Sequence, residues 1–243
     1  MITGPTGSGK TTTCYTALLK INRPDINIMT IEDPIEYVIP TVRQSAINPK
    51  AGFTFASALK AALRQDPDVI MVGEVRDKET AELALRASIT GHLVISTLHA
   101  NEAAGAIPRL MDLGVLSTVL ASGLVMVVAQ RLARRLCPDC LEVYKTTEEE
   151  KEFFVANGLP APEELARAKG CKLCHNSGFK GRIGIFEIMN VTKEIEELII
   201  ENAPRGRLEE VAVNQGMQKM LVDGLKKVAQ KVTSLSEIRR IVV

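Results

Sequence analysis

The sequence predicts an α/β protein built on a mostly parallel sheet with helices on both faces. Three observations lead there. Short, continuously apolar, β-branched runs alternate with helical stretches, as buried parallel strands and their crossover helices do. A glycine-rich turn, GPTGSGKT at residues 4–11, joins an apolar start to a helical pattern and fits G-x-x-x-x-G-K-[ST], a loop whose backbone amides cradle phosphates. Ionisable residues stand directly after several of the apolar runs, at the strand ends where ligands of such sheets collect.

Taken in order, Ile2 and Thr3 are all that precedes the loop as strand, fewer than the about five or six residues a strand needs to cross a sheet, so the first strand reads as truncated. Residues 10–20 follow as a helix. Residues 27–31 (NIMTI) form a short buried strand that delivers Glu32, Asp33 and Glu36, and residues 37–44 alternate as a further strand broken at Pro40. Residues 53–64 are helical, 69–72 (VIMV) are a strand ending at Gly73 and Glu74, and 77–89 are a helix with Ala81, Ala84 and Leu85 on one face. Residues 93–98 (LVISTL) are another buried strand, followed by His99. From 108 to 136 the pattern reads as helical and ends in Arg131, Arg134 and Arg135, cations suited to a helix C-terminus.

Composition then shifts. Residues 137–181 are polar, carry the acidic run Glu148, Glu149 and Glu150, and lack the apolar side chains for a core of their own. Residues 182–189 read as a strand and 192–243 as several short amphipathic helices. The expected organisation is a core domain over 1–136 with a truncated first strand, a small cysteine-bearing subdomain over 137–181, and a strand-and-helix region over 182–243.

With 243 residues and 46% hydrophobic content the chain can bury a sizeable core. Its net charge of +1 excludes a global field that would draw nucleic acid or a membrane surface. The longest apolar stretch, 115–129, is interrupted by Ser117, Thr118, Ser122 and Gly123 and is shorter than the about 20 residues that cross a bilayer, so it reads as a core helix. No charged-then-apolar secretory leader opens the sequence, which makes the cytosol the default compartment. Basic residues flank the cysteines, but aromatics are only 4% with no Trp, poor material for stacking bases, so nucleic acid is not expected as a partner.

Four positions carry the chemistry. In the loop Gly4, Pro5, Thr6, Gly7, Ser8, Gly9, Lys10 and Thr11, with Thr12 beside it, glycines let the amides turn toward phosphates, Lys10 reaches the β and γ phosphates of a nucleoside triphosphate such as ATP, and Thr11 offers a hydroxyl to Mg²⁺. A carboxylate for the metal or the attacking water belongs at a neighbouring strand end, where Glu74 sits. The usual strand ending there is Asp-Glu, and Gly73 occupies the Asp place, so either Glu74 serves alone or Glu32 and Asp33 share the role; a helix-capping function for Glu74 is the plain alternative. His92 and His99 bracket a strand; each reads as a structural histidine or a phosphate sensor, and His99, at the strand's end, is better placed to sense. Of five cysteines, Cys137 and Cys140, then Cys171 and Cys174, form two C-x-x-C pairs, which in a reducing compartment favour a closed, structural Zn²⁺ site over disulfides. His175 could replace one thiol but is not needed. Cys14 reads as a small buried apolar residue.

Together these stretches resemble one family, the motor ATPases of type II secretion and type IV pilus assembly. The resemblance rests on the phosphate loop; on TIEDPIEY at 30–37, like the family's acidic box; on LRQDPD at 63–68 through VGEVRD at 72–77, like its atypical Walker B element, Gly73 included; and on TGH at 90–92 through Leu98 and His99, like its histidine box. The paired cysteines resemble the assembly and secretion branch, and GFKGRIGIFE at 178–187 is similar to the segment that follows the family's metal site. The resemblance implies a RecA-like core with a small zinc subdomain, in a homo-hexameric ATPase on the cytoplasmic face of the inner membrane that works a membrane platform protein and moves pilin-like subunits. It implies Glu74 as the catalytic carboxylate, Glu32 as support for metal and water, and His99 as nucleotide sensor. Because family members carry upstream domains, the chain is expected to be a C-terminal fragment or to begin at a misplaced start, and to turn over slowly without an arginine from the part upstream. The competing readings are a nucleic-acid translocase on the same core, and a non-hydrolysing assembly subunit.

Overall fold

The computed structural model describes residues 1–242. In chain order the elements are β1 (Ile2–Thr3), α1 (Lys10–Ile21), β2 (Ile28–Glu32), β3 (Arg43–Ala46), α2 (Phe55–Ala62), β4 (Val69–Val72), α3 (Lys78–Ile89), β5 (Leu93–Leu98), α4 (Ala106–Asp112), α5 (Ser117–Gly123), β6 (Met126–Leu136), β7 (Glu142–Lys145), α6 (Glu148–Ala156), β8 (Glu164–Arg167), β9 (Phe179–Asn190), α7 (Lys193–Ile200), α8 (Arg205–Asn214), α9 (Met220–Ala229) and α10 (Leu235–Val242). The main sheet has the order β3-β2-β4-β5-β1-β6-β9, and the pairings from β3 through to β6 are parallel. This is the α/β architecture the alternating pattern predicts, because strands as apolar as β4, buried at all four positions, need cover on both faces.

The chain divides into two compact units, one of Met1–Ala129 with Ile188–Met217 and one of Gln130–Glu187 with Gln218–Val243. Both units are discontinuous in sequence. In the first unit one face of the sheet buries Cys14, Tyr15 and Leu18 of α1 with Ile28, Val69 and Met71, and the other buries Phe55, Ala58 and Leu59 of α2 with Ile31, Ile70 and Val72. Alternate residues of β2 and β4 thus face opposite layers, as the two-residue period of a strand requires.

Two expectations are corrected. Residues 108–136 are not one helical stretch, and 115–129 is not one core helix: α4 and α5 are seven-residue helices, and Met126–Leu136 is an eleven-residue strand. Arginine, leucine, alanine and glutamine favour helices locally, but pairing with β1 (Ile2 with Val128, Thr3 with Ala129) and the burial of Val127, Ala129 and Ala133 decide for a strand. The strand expected over 37–44 begins only at Arg43. Pro40 offers no amide, Thr41 has a left-handed φ of 68°, and Val42 donates back to the Ile39 carbonyl, so the chain turns where the pattern alternates. In the second unit, residues 137–181 hold more structure than composition suggests: the antiparallel pair β7 and β8, with α6 between them in sequence, buries Phe154, Leu165 and Ala166.

Candidate functional site

The strand order decides which residues can meet. β4, β5 and β1 are parallel neighbours, so the residues after their carboxyl ends share one edge of the sheet, with strands about 4.8 Å apart. Glu74 follows β4, His99 follows β5, and the glycine loop follows β1.

The loop leaves β1 through Gly4 and enters α1 at Gly9, whose left-handed conformation (φ 86°) a larger residue would resist. Gly9 brings no capping side chain, so no side-chain oxygen covers the start of α1, where a helix favours an anion. Lys10 Nζ donates to the carbonyls of Gly4 at 2.7 Å and Pro5 at 3.1 Å, so the ammonium lies over the loop. Burial lowers its pKa while the charge of Glu74 opposes that shift, a sign that the lysine and the carboxylate feel each other. Thr11 and Thr12 are exposed in the first turn, beside the buried Ser8.

Glu74 is held by an arginine and faces a histidine. One carboxylate oxygen accepts from the Arg76 guanidinium, and the other lies 3.8 Å from His99 Nε2. Arg76 also reaches Asp33 at 3.6 Å, which joins the end of β2 to the end of β4. The capping role open to Glu74 belongs to Asp77, which accepts from the Thr80 amide at 2.8 Å at the start of α3. The backbone on either side of Glu74 is pinned to β5 and β2: Thr97 Oγ1 donates to the Gly73 carbonyl (2.5 Å), the Val75 amide to the Thr97 carbonyl (2.9 Å), and the Gly73 amide to the Ile31 carbonyl (2.8 Å). A Cβ at Gly73 would lie 3.2 Å from the Ile31 carbonyl oxygen, which gives the glycine in the usual Asp place a steric reason.

His99 is half-exposed, and the residue after it is anchored to the loop's own strand. Thr3 Oγ1 donates to the Ala100 carbonyl (2.9 Å) and accepts from the Ala100 amide (2.8 Å). His92 is engaged elsewhere, with Nδ1 lying 3.0 Å from the Ala87 carbonyl and 3.2 Å from Thr90 Oγ1, where it closes the turn after α3. Glu32 is buried, and its carboxylate accepts from the Tyr15 hydroxyl, from Thr30 Oγ1 (2.5 Å) and from Gln44 Nε2 (3.0 Å). The structure therefore sets Glu74 and His99 side by side, places Lys10 on the same sheet edge, and ties Glu32 to α1 and β3. Arg76, Thr3, Thr97 and Tyr15 escape sequence reasoning. Arg76 alone leaves a local trace, as a cation two residues from Glu74.

In the second unit the four thiols of Cys137, Cys140, Cys171 and Cys174 lie within 4.8 Å of one another. Cys174 Sγ is 3.7 Å from both Cys140 Sγ and Cys171 Sγ. A tetrahedral zinc with Zn–S bonds of about 2.3 Å spaces its sulfurs about 3.8 Å apart, whereas a disulfide needs about 2.05 Å, so the donor set fits the metal. The thiols are not alike: burial raises Cys137 and pushes Cys140 up to about 12, whereas amide donation from Cys171 (3.1 Å) and Gly178 (3.2 Å) outweighs burial at Cys174 and brings it down to about 6. His175 lies outside the cluster. Two of the flanking cations are engaged within the unit: Arg134 with Glu237 (2.7 Å) and the face of Phe179, and Arg131 with the Ile241 carbonyl.

Residues 1–240 match the family described as type II/IV secretion system protein. The chain is 47% identical over 241 residues to the type II secretion system ATPase E of Vibrio cholerae, covering 99% of this chain and 48% of that protein. It is 48% identical over 244 residues to the type IV pilus assembly ATPase PilB of Acinetobacter baylyi, covering 99% of this chain and 42% of that one. The chain thus spans about half the length of the curated relatives it matches. Among solved structures it is similar to the pilus retraction motor PilT with bound ADP, at 34% identity and a TM-score of 0.72, covering 99% of this chain and 60% of that one. With the phosphate loop, the glutamate and the histidine on one sheet edge and the family match running from end to end, the chain belongs to the type II/IV secretion system protein family.

Proposed function

We propose that this chain is the ATP-hydrolysing part of a motor for type II secretion or type IV pilus assembly. The observation that carries the reading is the convergence of the Lys10 loop, Glu74 and His99 at the carboxyl ends of three neighbouring strands. The names of its relatives, a secretion ATPase and a pilus assembly ATPase, support it, as does the ADP in the similar PilT structure.

In this reading the amides of Gly4, Pro5, Thr6, Gly7, Ser8 and Gly9 and the Lys10 ammonium hold the β and γ phosphates, and Thr11, with Thr12 next to it, gives a hydroxyl to Mg²⁺. Glu74 takes the proton of the water that attacks the γ-phosphorus; the bond to the β–γ bridging oxygen breaks, and the charge that gathers there is balanced by Lys10, to which a Mg²⁺ held at Thr11 would add positive charge. His99, next to Glu74, reads the γ-phosphate, and Glu32 supports the metal and water side by shaping the end of β2. Cys137, Cys140, Cys171 and Cys174 hold Zn²⁺ as a structural element. Working as a homo-hexamer, the motor would press on an inner-membrane platform protein from the cytoplasmic side and drive pilin or pseudopilin movement. Among the described residues no helix is long and apolar enough to cross a membrane, which suits peripheral attachment.

The test is phosphate release from MgATP by the purified chain and two variants. Lys10→Ala is expected to lose nucleotide affinity by about 10- to 100-fold, the loss expected for charge-assisted hydrogen bonds to phosphate. Glu74→Gln should bind ATP and fail to turn it over. Release of phosphate at the wild-type rate by both variants would sink the reading.

A further inference from the structure

Beneath the phosphate loop lies a polar group in an apolar layer that the proposed chemistry does not use. Tyr15 stands in α1, is fully buried, and packs among Ile2, Leu18, Ile28 and Met71. A phenylalanine would fill the same volume. A buried phenol needs a partner, and here it has two: its hydroxyl donates to Glu32 and accepts from the Glu36 amide at 3.2 Å. Its ring meets Tyr37 edge-on, with centroids 4.4 Å apart. Gln44 closes the arrangement from β3, with its amide nitrogen on Glu32 (3.0 Å) and the Tyr37 carbonyl (3.2 Å) and its amide oxygen on the Ile39 amide (2.6 Å).

A buried carboxylate held by neutral donors is a demanding feature to keep in a core, so its place matters. Tyr15 is five residues beyond Lys10 on the same helix, about 7.5 Å along a rigid axis. The segment it grips, Glu32 to Tyr37, contains Asp33, which shares Arg76 with Glu74. The phenol is thus the joint between the helix that carries the phosphate loop and the segment whose carboxylate meets the guanidinium on Glu74. Burial, reinforced by the hydrogen bond to Glu32, pushes its pKa up to about 12, so it remains a donor at neutral pH.

We infer that Tyr15 is a positioning residue for hydrolysis: its hydroxyl couples the phosphate-loop helix to the segment from Glu32 to Tyr37, and through Asp33 and Arg76 sets the carboxylate of Glu74. This rests on the ATPase reading proposed above.

The experiment compares the full chain with Tyr15→Phe, which keeps the ring. Expected are a kcat lowered on the order of 10-fold or more, the effect of a small misplacement of a catalytic group, with the Kd for a fluorescent ATP analogue little changed; the thermal midpoint falls as well, because Glu32 and the Glu36 amide each lose a partner, so kcat is read well below both midpoints. A kcat equal to wild type overturns the inference, as does a loss confined to KM or to stability. A second readout is independent of turnover. In the wild-type chain, magnesium and a non-hydrolysable ATP analogue should slow amide hydrogen exchange at Glu36 and Tyr37, and Tyr15→Phe should abolish that slowing. Exchange that ignores the nucleotide in the wild-type chain overturns the coupling even if Tyr15→Phe does not fold. A wild-type chain that binds no nucleotide at all overturns the ATPase reading instead, and faster exchange at Glu36 in Tyr15→Phe then reports whether the hydroxyl holds this segment.

Discussion

His99 Nε2 lies 3.8 Å from one oxygen of Glu74 while the Arg76 guanidinium donates to the other, so the carboxylate after β4 stands between a histidine from the next strand and an arginine from its own loop. The pair forms because β4 and β5 are parallel neighbours in register, Val72 beside Ser96.

Glu74→Gln keeps the shape of that side chain and removes its capacity to take a proton. Phosphate release should fall by about 10²–10⁴-fold, the range expected for loss of a general base, while nucleotide affinity stays within a few-fold. Single-turnover release with saturating MgATP checks this; a loss seen only as weaker binding would assign Glu74 to the ground state.

Gly73→Ala places a methyl group 3.2 Å from the Ile31 carbonyl oxygen, where β4 leaves its contact with β2. Overpacking of this kind costs about 1–3 kcal/mol. Urea unfolding should show that loss, and turnover should fall as well, because the displaced backbone carries Glu74. An unchanged midpoint with full activity would mean the strand ends can separate freely.

The tetracysteine cluster predicts metal-dependent order in the second unit. The purified chain should carry zinc in a one-to-one ratio, and Cys140→Ser or a strong chelator should remove it and expose the amides of residues 137–181 to hydrogen exchange. Binding free energy of about 10–16 kcal/mol is typical of such sites, so retention of full protection without metal would contradict a structural zinc.

Glu237 is buried between Arg134 and Arg240. Burial raises its pKa, but hydrogen bonds from the Arg240 and Arg134 side chains and the Arg134 amide outweigh that and hold it at about 2, below the ordinary 4.5. A carboxylate with a depressed folded-state pKa stabilises the protein above its unfolded value and loses that contribution as pH falls toward the folded one. Stability should therefore decline between pH 4.5 and about 2, and Glu237→Gln, less stable at neutral pH, should show a shallower decline there. Urea melts at stepped pH values check both; parallel profiles would remove Glu237 from the acid response.

The sequence alone determined what depends on neighbours along the chain. The phosphate loop, the paired cysteines and strands such as Val69–Val72 were legible because their chemistry or period lies within a few residues, and strand ends marked Glu74 and His99 because parallel sheets bind at one edge. The tertiary structure decided the rest. Met126–Leu136 became a strand because β1 and β9 flank it in the sheet, against helix-favouring residues. Tyr15 met Glu32 across 17 positions, Thr3 met Ala100 across 97, and the tight space at Gly73 arose only once Ile31 stood beside it. The physical reason is common to all of them: a hydrogen bond or a close contact between distant residues exists only after the sheet has chosen its strand order, and no local pattern encodes that order.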